Sequence, residues 1–187
     1  MNVGFVGVGA MEQLMAERLL AAGHRLVVYD CVSARTENLV ARGATFVETP
    51  ASVAWEVDVV FSMMADDVTL EDMIFGEDGI ATGLSPRAIH VSCGTISCPQ
   101  ARRLREGHGQ CGQTYVDAII LGGPAEAKAG ELSILATGVN DVWVRLMPLL
   151  KCLGVVMFRT DDYFCRADQG WERASSTVGS RKEIQRA

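Results

Sequence analysis

The opening thirty residues constrain this chain more than any other stretch. Residues 3–30 read VGFVGVGAMEQLMAERLLAAGHRLVVYD. An apolar run of strand length meets a Gly-x-Gly turn at Gly7 and Gly9. A helical pattern follows, stops at Gly23, and gives way to a second apolar run ending in Asp30. A strand joined through a helix to a parallel strand closes as a right-handed crossover, which commits the chain to an open sheet with helices on its faces.

The alternation continues to about Thr160. SARTENLVARG reads as a helix and ATFVE as a short strand. TPASVAWE reads as a helix with Thr49 as its cap and Pro50 in its first turn. VDVVFSMM is a continuous apolar run, as expected of a strand covered on both faces. DDVTLEDMIF, AIHVSCGT and CPQARRLREGHG then read as helix, strand and helix. TYVDAII, ELSILATG, DVWVRLMPLLKCLG and VVMFRT supply two strands, a helix and a last strand. The series predicts an α/β fold with a Rossmann-type, doubly wound, mostly parallel sheet over residues 1–160. Residues 161–187 lose the apolar periodicity and read as a divergent, weakly ordered tail.

The turn at Gly7 and Gly9 has a chemical meaning. The first glycine allows a tight turn, and the second lets the backbone approach a pyrophosphate. The helix that follows offers unpaired N–H groups and a partial positive charge. Asp30 lies at about the twenty-residue spacing expected of an acid that binds the adenosine ribose. Its charge disfavours a 2′-phosphate and so favours NAD, with NADP possible. Arg35 nearby is either a contact for such a phosphate or a solvated helix charge. The third glycine position of the pattern holds Glu12. A carboxylate there is welcome to the helix N-terminus, yet it competes with the cofactor phosphates for the same field unless it turns to solvent.

Composition excludes several classes. The net charge of −6 over 187 residues leaves no basic stripe for a nucleic acid. No apolar run is long enough to span a membrane, and MNVGFVGVGA enters a strand with no basic leader. A cytoplasmic protein is expected. The six cysteines include no C-x-x-C pair, so reduced thiols are expected and no metal site.

Four segments together resemble the β-hydroxyacid dehydrogenase family, which includes 3-hydroxyisobutyrate dehydrogenase, tartronate semialdehyde reductase and threonate dehydrogenase-like enzymes. They are GFVGVGAMEQLMAERLLAAGH, VVFSMMADD, HVSCGTIS and DAIILGGPAEAKAGELSILATG, and the similarity covers roughly residues 2 to 160. The resemblance implies hydride transfer between a nicotinamide cofactor and a small hydroxy acid. It implies cofactor contacts from Gly7, Val8, Gly9, Ala10, Met11, Asp30, Arg35, Met63, Met64 and Thr95. It also implies that the amides of Gly122 and Gly123 hold the substrate carboxylate.

The chain departs from the family pattern at points that bear on chemistry. The serine before the two glycines is Leu121, which cannot donate a hydrogen bond. The family's general acid/base lysine, inside G-x-G-x-x-x-K on a long helix leading to an all-helical second domain, has no counterpart. The only lysines are Lys128, Lys151 and Lys182. Such a group is worth roughly 10²–10⁴-fold in rate, so an NAD(P)-binding domain of an oxidoreductase with impaired catalysis is expected. The alternatives are a non-catalytic NAD-binding or interaction module, and a truncated or frame-shifted product. Trp171-Glu172-Arg173 is compatible with a codon run that reads Gly-Ser-Gly one base later. Loss of a covering domain exposes an apolar face, so a homo-oligomer is expected.

Overall fold

In the computed structural model, the structure describes residues 1–55, 57–64, 66–94, 96–137 and 140–159. Eight strands form one sheet: β1 (Asn2–Val6), β2 (Arg25–Tyr29), β3 (Thr45–Phe46), β4 (Val59–Ser62), β5 (Ile89–Ser92), β6 (Thr114–Leu121), β7 (Leu132–Thr137) and β8 (Gly154–Arg159). Their order is β3-β2-β1-β4-β5-β6-β7-β8. The first six are parallel, as the alternation predicts.

β7 breaks the pattern by running antiparallel to β6. A parallel return needs a crossover of a dozen or more residues, and only the short helix α7 (Pro124–Ala129) with its flanking turns joins the two strands. β6 is long enough to serve both neighbours. Thr114–Asp117 pair with β5, and Ala118–Leu121 pair with β7.

The remaining helices are α1 (Ala10–Ala21), α2 (Glu37–Ala41), α3 (Pro50–Ala54), α4 (Asp67–Phe75), α5 (Ile80–Gly83), α6 (Cys98–Gln110) and α8 (Asn140–Leu153). A 3₁₀ turn at Ser33–Thr36 precedes α2. Alternation along β1 splits the core in two. Val3 and Phe5 pack with Met15 and Leu19 of α1 and with Leu146, Leu149 and Leu150 of α8. Val6 packs on the other face with Val53, Leu70, Ile74 and Leu104. Period-two alternation of this kind fixes the register, since a slip by one residue would exchange the faces.

Local signals set the helix ends. The Thr49 hydroxyl accepts from the Ser52 amide at 3.1 Å with Pro50 in the first turn of α3, as expected. Asp66 caps α4 through the Thr69 amide at 2.8 Å, and Ser97 caps α6 through the Gln100 amide. No helix among the described residues is long and apolar enough to cross a membrane. Cys31, Cys93, Cys111 and Cys152 are free thiols, whereas Cys98 is disulfide-bonded, against the expectation of reduced thiols throughout. Residues 161–187, expected as a tail, lie outside the described residues.

Candidate active site

Strand order reverses between β1 and β4, so the chain leaves β1 toward β2 on one side and returns to β4 on the other. A crevice opens at such a point, beyond the carboxyl ends of the strands. Gly7 begins the turn out of β1 with φ +87°, a backbone region that favours glycine. Its amide donates to the Tyr29 carbonyl at 2.9 Å. A Cβ at Gly7 would lie 2.9 Å from the Met63 carbonyl oxygen, so the turn runs directly against the loop after β4. Gly9 is the N-cap of α1 and supplies no side-chain cap, which leaves the first amides of that helix facing the crevice.

Asp30 ties the turn to β2. Its Oδ2 accepts the Val8 amide at 2.8 Å and its Oδ1 accepts the Val32 amide at 2.8 Å. The Arg35 guanidinium lies 3.4 Å from Oδ1. With only 6% of the residue exposed, the carboxylate is held first by backbone amides of its own domain. Arg35, on the 3₁₀ turn, is 56% exposed at its side chain and pairs with Asp30 while remaining open to solvent.

Between these elements lies a cavity of about 480 Å³, within the range of small-molecule and cofactor sites. Of the residues singled out in the sequence, Gly7, Val8, Gly9, Asp30, Arg35, Met63 and Met64 line it. Glu12 lines it too. Ala10 opens α1 at the surface, and Met11 packs against the core. Thr95 lies outside the described residues. Gly122 and Gly123 do not line this cavity, and the Gly123 amide donates to Glu126 Oε2 at 2.8 Å. Tyr29, Cys31, Asp66, Thr69 and Met73 complete the wall. No spacing motif announces these five residues, although an aspartate just ahead of a helical run marks Asp66 as a cap candidate at the same sheet edge.

Charge in the cavity is unbalanced. Burial raises the Glu12 carboxyl above its usual range, the Asp30 charge adds to this, and the amides of Glu12 and Met11 and the Arg35 charge oppose it. Burial, followed by the Glu12 charge, pushes the Cys93 thiol up. No group of His, Cys, Asp or Glu among the described residues could hold a metal ion.

A glycine turn into a helix N-terminus, an acid at the end of the second strand, and a cavity at the switch point together define a dinucleotide-binding domain of the doubly wound class. The first-turn amides of α1 and the approach over Gly9 fit a diphosphate, with Glu12, whose carboxylate lies against Gly9, the one residue out of keeping. The chain belongs to the family described as the NAD binding domain of 6-phosphogluconate dehydrogenase, matched over residues 2–161. It is 36% identical over 158 residues to the uncharacterized oxidoreductase YfjR of Bacillus subtilis, covering 84% of this chain and 55% of that protein. It is 31% identical over 162 residues to the 3-hydroxyisobutyrate dehydrogenase of Pseudomonas aeruginosa, covering 87% of this chain and 54% of that enzyme. Among solved structures, Psf3 in complex with NADP+ and 2-OPP superposes with a TM-score of 0.81 at 27% identity, covering 85% of this chain and 57% of that one. The chain spans about half the length of the relatives it matches. It is an NAD(P)-binding domain of the hydroxyacid dehydrogenase-like oxidoreductases.

Proposed function

We propose that this chain forms the cofactor half of an oxidoreductase acting on a small hydroxy acid, with NAD preferred over NADP. The observation that carries this reading is the convergence of Gly7, Gly9 and Asp30 on one cavity at the carboxyl edge of the sheet, held together by the Val8–Asp30 hydrogen bond. The Gly7–Val8–Gly9 turn and the amides of Ala10 and Met11 would hold the diphosphate, Asp30 and Arg35 the adenosine ribose, and Met63, Met64 and Thr95 the nicotinamide half. When bound, the nicotinamide accepts or returns a hydride. The chain's own residues orient it and keep water from its apolar wall. Gly122 and the neighbouring Gly123 turn would face the substrate carboxylate. Calorimetric titration with NAD, NADP and ADP-ribose tests the reading, and no binding of any of the three at millimolar concentration would overturn it.

A second reading, a non-catalytic NAD-binding module, draws support from the proton-transfer chemistry. Lys128 and Lys151 are exposed and neither lines the cavity. Leu121 stands where the family pattern has serine. In the first reading this chain adds hydride turnover with small hydroxy acids only when a full-length homologue is present, and in the second it adds none either way. A spectrophotometric screen for reduced nicotinamide with and without such a homologue therefore decides between the two. Self-association is part of the first reading: Val144 on α8 and Val155 on the edge strand β8 are 77% and 54% exposed, and sedimentation at high concentration reads it out.

A further inference from the structure

The Glu12 carboxylate sits where the turn should be empty. A Cβ built on Gly9 would meet Glu12 Oε2 at 2.7 Å, Cδ at 3.3 Å and Oε1 at 3.4 Å. The second glycine of the turn exists so that a diphosphate can approach its backbone closely. In this chain the side chain three residues on has folded back into that space, and the residue is only 9% exposed.

A related arrangement, a glycine N-cap with a glutamate three residues on, occurs a second time in the molecule, with the opposite electrostatic outcome. Gly123 caps α7 and Glu126 reaches back to its amide at 2.8 Å. Glu126 is in open water, and its carboxyl is lowered by the amides of Gly123 and Glu126. That is ordinary capping. Glu12 is enclosed, and its carboxyl is raised, first by burial. The groups facing it are Asp30 and Arg35 from the loop after β2 and Cys93 from the end of β5, while Tyr29, Cys31 and Asp66 share the cavity wall. Arg35 is the one cation among them. A buried acid beside a second acid costs the fold stability, so capping alone does not account for this placement.

We propose that the Glu12 carboxylate is an intramolecular occupant of the diphosphate seat, a latch that a dinucleotide must turn out before it binds. The proposal rests on the dinucleotide reading above and adds a regulatory device to it. Two anions cannot share the first-turn amides of α1. Apparent affinity therefore falls by the fraction of molecules in which the seat is open. A ligand without a diphosphate does not need the seat and is indifferent to the latch.

The test uses the full 187-residue chain, with NAD, ADP-ribose and adenosine titrated calorimetrically into wild type, Glu12→Gly and Glu12→Gln. Glu12→Gly, which empties the seat, is expected to tighten NAD and ADP-ribose by about tenfold or more and to leave adenosine unchanged. Glu12→Gln keeps the volume and removes the charge, so a smaller gain for the same two ligands is expected. Thermal denaturation reports whether each variant is folded, and the glutamine variant carries the test if the glycine one is not. Wild-type affinity for NAD in a folded variant would overturn the latch while leaving the dinucleotide reading intact. An equal gain for adenosine would also overturn it, since the seat would then be a general obstruction. Failure of all three proteins to bind NAD or ADP-ribose would overturn the parent reading and the latch with it.

Discussion

The amide of Val8 donates a 2.8 Å hydrogen bond to Asp30 Oδ2, and together with the Gly7 amide on the Tyr29 carbonyl this contact joins the glycine turn after β1 to the end of β2 across 22 residues of sequence. The other oxygen of the same carboxylate accepts the Val32 amide. Asp30 therefore shapes the cavity before it touches any ligand. Replacing it by alanine strands a buried amide at Val8, and an unpartnered buried donor costs about 1–3 kcal/mol. Asp30→Ala is expected to lose stability of that order in urea unfolding and to weaken NAD binding. Asp30→Asn is expected to do little better, because its NH₂ group would face an amide donor that needs an acceptor.

Gly7 is the second point where the turn is over-determined. Its φ of +87° disfavours any side chain, and a Cβ would press within 2.9 Å of the Met63 carbonyl oxygen. Gly7→Ala is expected to cost about 1–3 kcal/mol, the usual scale of a strained backbone position. It should also narrow the cavity between β1 and β4. A fall in both thermal midpoint and NAD affinity checks this, and an unchanged midpoint would contradict it.

These features differ in how far the sequence announces them. Gly7, Gly9, Gly23 and the Thr49–Pro50 cap are local signals, read from residues that act on their own backbone, and the structure places them as expected. The parallel order from β3 to β6 is also legible, because each helix between strands forces a crossover. The antiparallel return of β7 is not, since DAIILGGPAEAKAGELSILATG gives no length cue until α7 is known to hold only six residues. VDVVFSMM reads as one strand, yet β4 ends at Ser62 and releases Met63 and Met64 to the cavity wall. The fate of Glu12 and the partners of Asp30 depend on side-chain direction across elements, which no spacing rule encodes.

Arg18 makes a separate tie, remote from the cavity lining. Its Nε donates to the Cys152 carbonyl at 2.7 Å and its Nη1 to the Lys128 carbonyl at 3.0 Å, so one guanidinium joins α1 to α8 and α7. The fork geometry of arginine lets it serve two carbonyls at once, which a lysine ammonium, a compact charge on a flexible stem, does less well. Arg18→Ala is expected to destabilise by about 1–2 kcal/mol, with Arg18→Lys recovering only part. NAD affinity should stay within about twofold of wild type, since the change acts on packing rather than on the turn. Chemical denaturation and titration of the same samples separate the two effects.

A buried hydrogen-bonded row runs from β4 to the start of β6, and its protons can be assigned. The Gln113 amide nitrogen donates to the carbonyls of Ala81 and Leu84, both at 2.8 Å, so its Oε1 is an acceptor. His108 Nδ1, at 2.9 Å, must then donate to it. That leaves His108 Nε2 to accept from His90 Nδ1 at 2.9 Å, and His90 Nε2 to accept from the Ser62 hydroxyl at 2.8 Å. Each imidazole carries one proton and is neutral: a second proton on His108 Nε2 would face the His90 Nδ1–H, and full burial disfavours a charge on His90. Burial lowers His90 well below its ordinary 6.5, with the neighbouring His108 adding to the effect, and burial lowers His108 as well. Below pH 6.5 the unfolded chain takes up protons that the folded chain refuses, so stability falls as pH falls. The slope approaches about 1.4 kcal/mol per pH unit for each proton excluded. Urea unfolding at pH 7.5 and 5.5 should show this loss, and His90→Phe should flatten the dependence by about one proton. Comparing the two proteins cancels Glu12 and Asp117, whose raised values act in the opposite sense just above the ordinary carboxyl range. Identical pH slopes for wild type and His90→Phe would contradict the assignment of a neutral row.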